Sequence, residues 1–210
     1  DGAYALLTDY LLDAETLADR WASAEDLPAG DPRALAILRP AFALFGRLHA
    51  ADLVQNDAHL GNFLTHKGRL WLIDGDGIAR IDSDRPGAER SILNNLALLI
   101  AQLPPVWETC LDDLMAAYLS EQQRWRPDRT DLLHAVKHAR DRRLAHFLGK
   151  TVRDCSQFVV HSTARLFSTV LRTELDGLTE LLADPDAAIA TGQMLKNGNT
   201  CTVARVDAGG

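Results

Sequence analysis

Apolar residues recur along this chain at two spacings, and the switches between them mark the predicted elements. Residues 2–12, GAYALLTDYLL, read as a strand, with Tyr4, Leu6 and Leu7 supplying bulk suited to a sheet. From Asp13 the spacing turns helical: Leu17 and Trp21 are four apart, and Asp13 stands ahead of them as a candidate N-cap. Residues 31–53 predict a longer helix, opened by Asp31-Pro32 and kinked at Pro40. Its apolar residues lie nearly all round, which predicts a buried helix. A polar loop at 54–62 then leads into two short strands, NFLTH and RLWLID, joined by a turn at Lys67-Gly68. Beyond Glu89 the pattern predicts helices over 89–103, 106–124, 129–149 and 157–183, punctuated by Pro104-Pro105 and Pro127. The last stretch returns to strand composition, with a turn at Gly198-Asn199 followed by TCTVARV. The fold class this predicts is mainly α with small β-hairpins.

Composition narrows the class of protein. A chain of 210 residues can bury a real core, as one domain or two small ones. Its net charge of -7 argues against a general nucleic-acid binder; the basic run KHARDRR at 137–143 reads as a charged helix face. Three widely spaced cysteines, Cys110, Cys155 and Cys201, form neither a disulfide framework nor a paired metal motif, which favours a reducing compartment. No apolar run is long enough for a membrane span and no signal peptide is visible. The expectation is a soluble, cytoplasmic protein.

The chemistry concentrates in NDAHLGNFLTHKGRLWLIDGD, residues 56–76. Phosphoryl transfer needs a carboxylate at the acceptor hydroxyl and oxygen ligands for Mg²⁺ on the phosphates. Asp57 and Asn62 offer a carboxylate and an amide oxygen in one loop, and Asp74 offers a second carboxylate beyond a strand–turn–strand. A hairpin brings its two ends together, so Asn62 and Asp74 are expected side by side. Asp76 is either a further ligand or solvated, and His59 either touches a phosphate or steadies the loop.

QNDAHLGNFL followed by LWLIDGDG resembles the catalytic loop and metal-binding segment of the protein-kinase-like fold. The likeness is strongest to bacterial kinases of lipopolysaccharide-core heptose or Kdo sugars and their toluene-tolerance-like relatives; aminoglycoside and choline kinases share a similar pattern. The resemblance implies a kinase-like large (C-terminal) lobe with a helical extension, using ATP and Mg²⁺. It makes Asp57 the catalytic carboxylate and Asn62 and Asp74 the metal ligands. The backbone of Asp9, Tyr10 and Leu11 would be the hinge that holds adenine, and the acceptor a sugar or lipid-linked sugar. The expected partners then include the inner face of a membrane, by peripheral contact and without a transmembrane segment. Gln55 stands where the family usually has His, and Gly75-Asp76 where it has Phe-Gly. No Ala-Pro-Glu segment follows the loop, and 81–91 is too short for a regulated activation segment, which favours a small-molecule or sugar kinase over a protein kinase.

The ends suggest a piece of a longer protein. LKNGNTCTVARV resembles the opening of a second kinase small lobe, with Lys196, Gly198 and Val203 at the glycine-rich positions. The implied organisation is a hinge strand and large lobe at 1–125, a helical connector at 126–190 and the start of a second small lobe at 191–210. The small-lobe Lys and its helix Glu partner are not in the sequence, so the 210-residue piece alone is expected to turn over weakly. A pseudokinase or scaffold unit of a tandem kinase-like protein, or another small-molecule kinase of the aminoglycoside or choline type, are the alternatives.

Overall fold

The computed structural model describes residues 11–82, 86–164, 166–198 and 201–206. The chain is mainly α with small antiparallel β-hairpins, and it divides into two compact units between Asp141 and Arg142. Among the described residues no helix is long and apolar enough to cross a membrane.

Most of the strand predicted at 2–12, with Asp9 and Tyr10, lies outside the described residues. Leu12 and Asp13 belong to a turn, closed by Ala14 N donating to Leu11 O at 3.3 Å. Asp13 is therefore not the helix N-cap. It takes a left-handed φ of 60°, and the chain stays extended through β1 (Glu15–Thr16), which pairs with Leu64 and Thr65. Thr16 caps α1 (Leu17–Ala22) instead, accepting from Asp19 N at 3.0 Å.

Helix α2 (Pro32–Ala50) starts as predicted: Asp31 accepts from Arg33 N at 2.8 Å and Pro32 fills the first turn. It runs on through Pro40. That residue is exposed, as is Ala36, whose carbonyl loses its partner to the proline and can turn to water. The predicted all-round burial is corrected. Leu35, Leu38, Phe42, Phe45 and His49 are buried, while Arg33, Arg39 and Arg47 face solvent. The helix ends before Asp52, whose φ is 59°, and Arg124 covers its last carbonyls, donating to His49 O and Ala50 O at 3.3 and 2.5 Å.

After α2 come β2 (Leu53–Gln55), β3 (Phe63–His66), β4 (Arg69–Leu72) and β5 (Ile78–Arg80). Strands β1, β3 and β4 form one antiparallel sheet, and β2 pairs with β5 in another. The β3–β4 turn has positive φ at both Lys67 and Gly68, as a tight two-residue hairpin requires. Helix α3 (Ala88–Ile100) follows, then a 3₁₀ turn at Pro105–Cys110 and α4 (Leu111–Leu119). The helix predicted over 106–124 is thus a tighter 3₁₀ coil, pinned by Trp107 edge-on to Trp21 at 5.0 Å, leading into a shorter α-helix. The core of the first unit gathers Leu17, Phe42, Phe45, Phe63, Leu96 and Leu114. Helices α2 and α4 cross closely at Gly46, where a Cβ would lie 2.4 Å from Tyr118 O.

Helix α5 (Arg129–Thr151) begins in the first unit and ends in the second. The helix predicted over 157–183 is corrected. Its first half is a hairpin, β6 (Phe158–Ser162) with β7 (Phe167–Leu171), and only α6 (Leu175–Ala183) is α-helical. Val159, Val160, Thr169 and Val170 carry the β-branching that favours the pleated form. One face of the hairpin meets the end of α5, through Phe147 against Phe158 and Thr169 Oγ1 on Thr151 O at 2.6 Å. The opposite face, with His161 and Ser168, borders a cavity of about 460 Å³ closed by Leu175, Thr179 and Leu182 of α6. Helix α7 (Pro185–Thr191) leads to the predicted terminal hairpin, β8 (Gln193–Asn197) with β9 (Thr202–Arg205), closed by Gly198 N on Cys201 O at 3.1 Å.

Candidate functional site

The site is the loop between β2 and β3 together with the turn between β4 and β5. Asn62 Nδ2 donates to Asp57 Oδ2 and to Asp57 O, both at 3.1 Å, so the amide lies against the carboxylate predicted to work with it. This leaves the Asn62 oxygen as the acceptor end of the side chain. The hairpin delivers the other carboxylate. Phe63 pairs with Leu72, and Ile73 N donates to Asn62 O at 2.9 Å, so Asp74 follows directly on the residue across from Asn62. Asp74 then adopts a left-handed φ of 60°, which turns the chain out of the strand; Asp tolerates that conformation better than most residues. Its carboxylate is exposed and has no hydrogen-bond partner among the described residues.

Gln55 locks the two segments together. Fully buried, it accepts from Asp57 N through Oε1 at 3.1 Å and donates to Asp74 O through Nε2 at 3.1 Å. A single amide thus spans the loop that carries Asp57 and the turn that carries Asp74. Asn56 N donating to Gly77 O at 2.8 Å adds a second tie. In the sequence Gln55 is merely a departure from the usual His; in the structure it is the element that holds the site.

Behind Gln55 runs a buried polar chain. Asn95, in α3, accepts from Gln55 N at 3.2 Å and donates to Gln55 O at 2.6 Å, gripping its peptide on both sides. His49 Nε2 lies 3.0 Å from Asn95 Oδ1, and His49 Nδ1 lies 2.9 Å from the Tyr118 hydroxyl. Because Asn95 Oδ1 only accepts, the proton belongs on Nε2 and Nδ1 accepts from Tyr118. Burial pushes the His49 pKa down and the Tyr118 pKa up, keeping both neutral. Gln102, past the end of α3, braces the loop from the other side. It accepts from Leu60 N at 2.8 Å and donates to Ala58 O. Asn95 and His49 were visible in the sequence only as polar residues set among core positions of their helices.

The remaining candidates separate. His59 steadies its own loop, its Nδ1 accepting from Gly61 N at 3.0 Å. Asp76 is exposed in the 3₁₀ turn Gly75–Gly77. Of the hinge residues only Leu11 is described, and its carbonyl is occupied by the Ala14 turn. Gly198 belongs to the terminal hairpin in the second unit. Among the described residues no group of three or more His, Cys, Asp or Glu side chains is arranged to hold a metal, so a cation at this site would rest on few protein oxygens and on water. No protein-family model matches the chain, and no curated protein matches it.

Proposed function

We propose that the chain carries the large lobe of a kinase-fold phosphotransferase that uses ATP and Mg²⁺. In this reading the acceptor is a hydroxyl of a lipopolysaccharide-core sugar and the reaction takes place in the cytoplasm. The observation that carries the reading is the hydrogen bond from Asn62 to Asp57, at the open end of the hairpin where Asp74 follows the residue across from Asn62. The acceptor class rests on the resemblance of the loop and strand motifs to the core-sugar kinases.

Each residue has a task that its surroundings permit. Asp57, exposed and with its backbone fixed by Gln55, orients the acceptor hydroxyl and takes its proton as the new oxygen–phosphorus bond forms and ADP departs. The Asn62 oxygen and the Asp74 carboxylate would hold Mg²⁺; both are hard oxygen donors, and neither has a competing partner among the described residues. When bound, the ion neutralises charge on the phosphates. The donation from Asn62 to Asp57 keeps the two side chains in register before substrate arrives.

The test is phosphate transfer by the intact gene product, with Asp57→Asn and Asp74→Asn as variants. Asn is chosen at 74 because it tolerates the positive φ. Each variant should lose roughly a hundredfold or more in kcat while its melting temperature stays within a few degrees. Wild-type turnover in Asp74→Asn would refute the assignment. Mg²⁺-dependent ATP binding without transfer in the wild type would favour the scaffold alternative.

A further inference from the structure

Helix α5 carries on its solvent side a pair of side chains that the phosphotransfer site does not use. Its core side is set by Leu132, Ala135, Val136 and Ala139, all buried. With about 100° of turn per residue, His134 and His138 fall on the opposite side, one turn apart. Both are exposed, and their rings stand edge to face with centroids 4.6 Å apart. Apart from each other, neither ring has a hydrogen-bond or ion-pair partner among the described residues. Asp131, three residues before His134, and Asp141, three after His138, extend the same stripe. Both carboxylates are exposed and form no ion pair among the described residues.

We propose that His134 and His138 chelate one divalent late transition-metal ion, through one nitrogen of each ring. An imidazole bound at about 2.0–2.1 Å has its ring centre about 3.2 Å from the ion, so two rings at right angles around it stand about 4.5 Å apart, and at the tetrahedral angle about 5.2 Å. The observed 4.6 Å is the right-angle value, which suits tetragonal and octahedral ions such as Cu²⁺ and Ni²⁺. The buried face of α5 holds the backbone in place, so the pair is set before an ion arrives. Water completes the coordination, because no third His, Cys, Asp or Glu among the described residues is placed to join the two rings. Asp131 and Asp141 add negative charge to either side of the ion. Zinc hydrolases place two histidines at this spacing with a Glu directly after the first as general base. Here Ala135 takes that place and is buried, so the site binds metal without a base for hydrolysis. The proposal does not rest on the phosphotransfer reading: it uses none of that site's residues, and Mg²⁺ prefers oxygen to imidazole nitrogen.

The experiment is calorimetric titration of the full chain with nickel(II) chloride, in excess magnesium chloride to occupy oxygen-ligand sites such as Asp74. The wild type should take up Ni²⁺ in the micromolar range and melt a few degrees higher when saturated. His134→Gln and His138→Gln should each weaken uptake about tenfold or more and remove the gain in melting temperature, since a lone imidazole loses the chelate. His146→Gln, an exposed histidine of the same helix outside the pair, should change neither. If either substitution in the pair unfolds the chain, the wild type decides alone: Ni²⁺ should broaden the ring-proton resonances of His134 and His138 before those of the other five histidines. Uptake that survives both substitutions, as thiols or the N-terminal amine would give, overturns the proposal. So does an equal loss in His146→Gln, broadening centred on other rings, or the absence of uptake in the micromolar range.

Discussion

Gly77 leaves the space that the Gln55 amide occupies: a Cβ at residue 77 would stand 1.9 Å from Gln55 Oε1. The absent side chain is thus a condition for the bond from Gln55 to Asp57 N and for its partner bond to Asp74 O. Gly77→Ala should destabilise the chain by about 1–3 kcal/mol, through a displaced buried amide whose partners lose their bonds. The cost should shrink in a Gln55→Ala background, where nothing remains to collide. A urea double-mutant cycle measures this coupling; strictly additive effects would count against the splint.

Removing the Asn62 amide should affect chemistry more than folding. In Asn62→Leu the two donations to Asp57 are lost from a partly exposed site, at about 0.5–1.5 kcal/mol each at most. If the kinase reading holds, kcat of the intact gene product falls by roughly a hundredfold. Comparing the urea midpoint with the turnover number separates the two effects.

Acid should weaken the first unit through His49. Burial lowers its folded pKa below the ordinary 6.5, so the unfolded chain takes up this proton first. The contribution of neutral His49 is complete above about 6.5 and declines as pH falls toward its lowered folded value. His49→Gln should cost stability near neutral pH, because Tyr118 and Asn95 lose a fitted partner, and should flatten the acid side of the profile. Urea unfolding across that pH range provides the measurement.

A smaller effect is expected at the start of the first helix. Thr16→Ala removes the acceptor for Asp19 N and should cost about 1 kcal/mol, while Asp13→Ala should remove no helix cap. Thermal melts of both variants distinguish the observed cap from the one suggested by the sequence pattern.

How much of this was legible in the sequence depends on the range of the forces involved. The β3–β4 hairpin was, because Lys67-Gly68 and the flanking alternation set the turn locally. Its register sets Asn62 across from Ile73, one residue before Asp74. Asp31-Pro32 likewise announced the start of α2. The 157–183 segment misled because Leu171, Leu175, Leu178 and Leu182 continue a helical spacing to the end, masking the pairing of Phe158 with Leu171 and of Val160 with Thr169. The splint was not legible. Gln55 is 19 residues from Asp74 and 40 from Asn95, and nothing local selects those partners.

Among the described residues of the second unit only Phe158 is a buried hydrophobic side chain, whereas the first unit has a continuous core. Backbone amides of β6 and β7 should therefore exchange with deuterium through small local openings, while those around Leu96 and Leu114 should wait for global unfolding. The two halves of helix α5 would then record different clocks: slow protection near Val136, and rapid labelling from Leu144 onward.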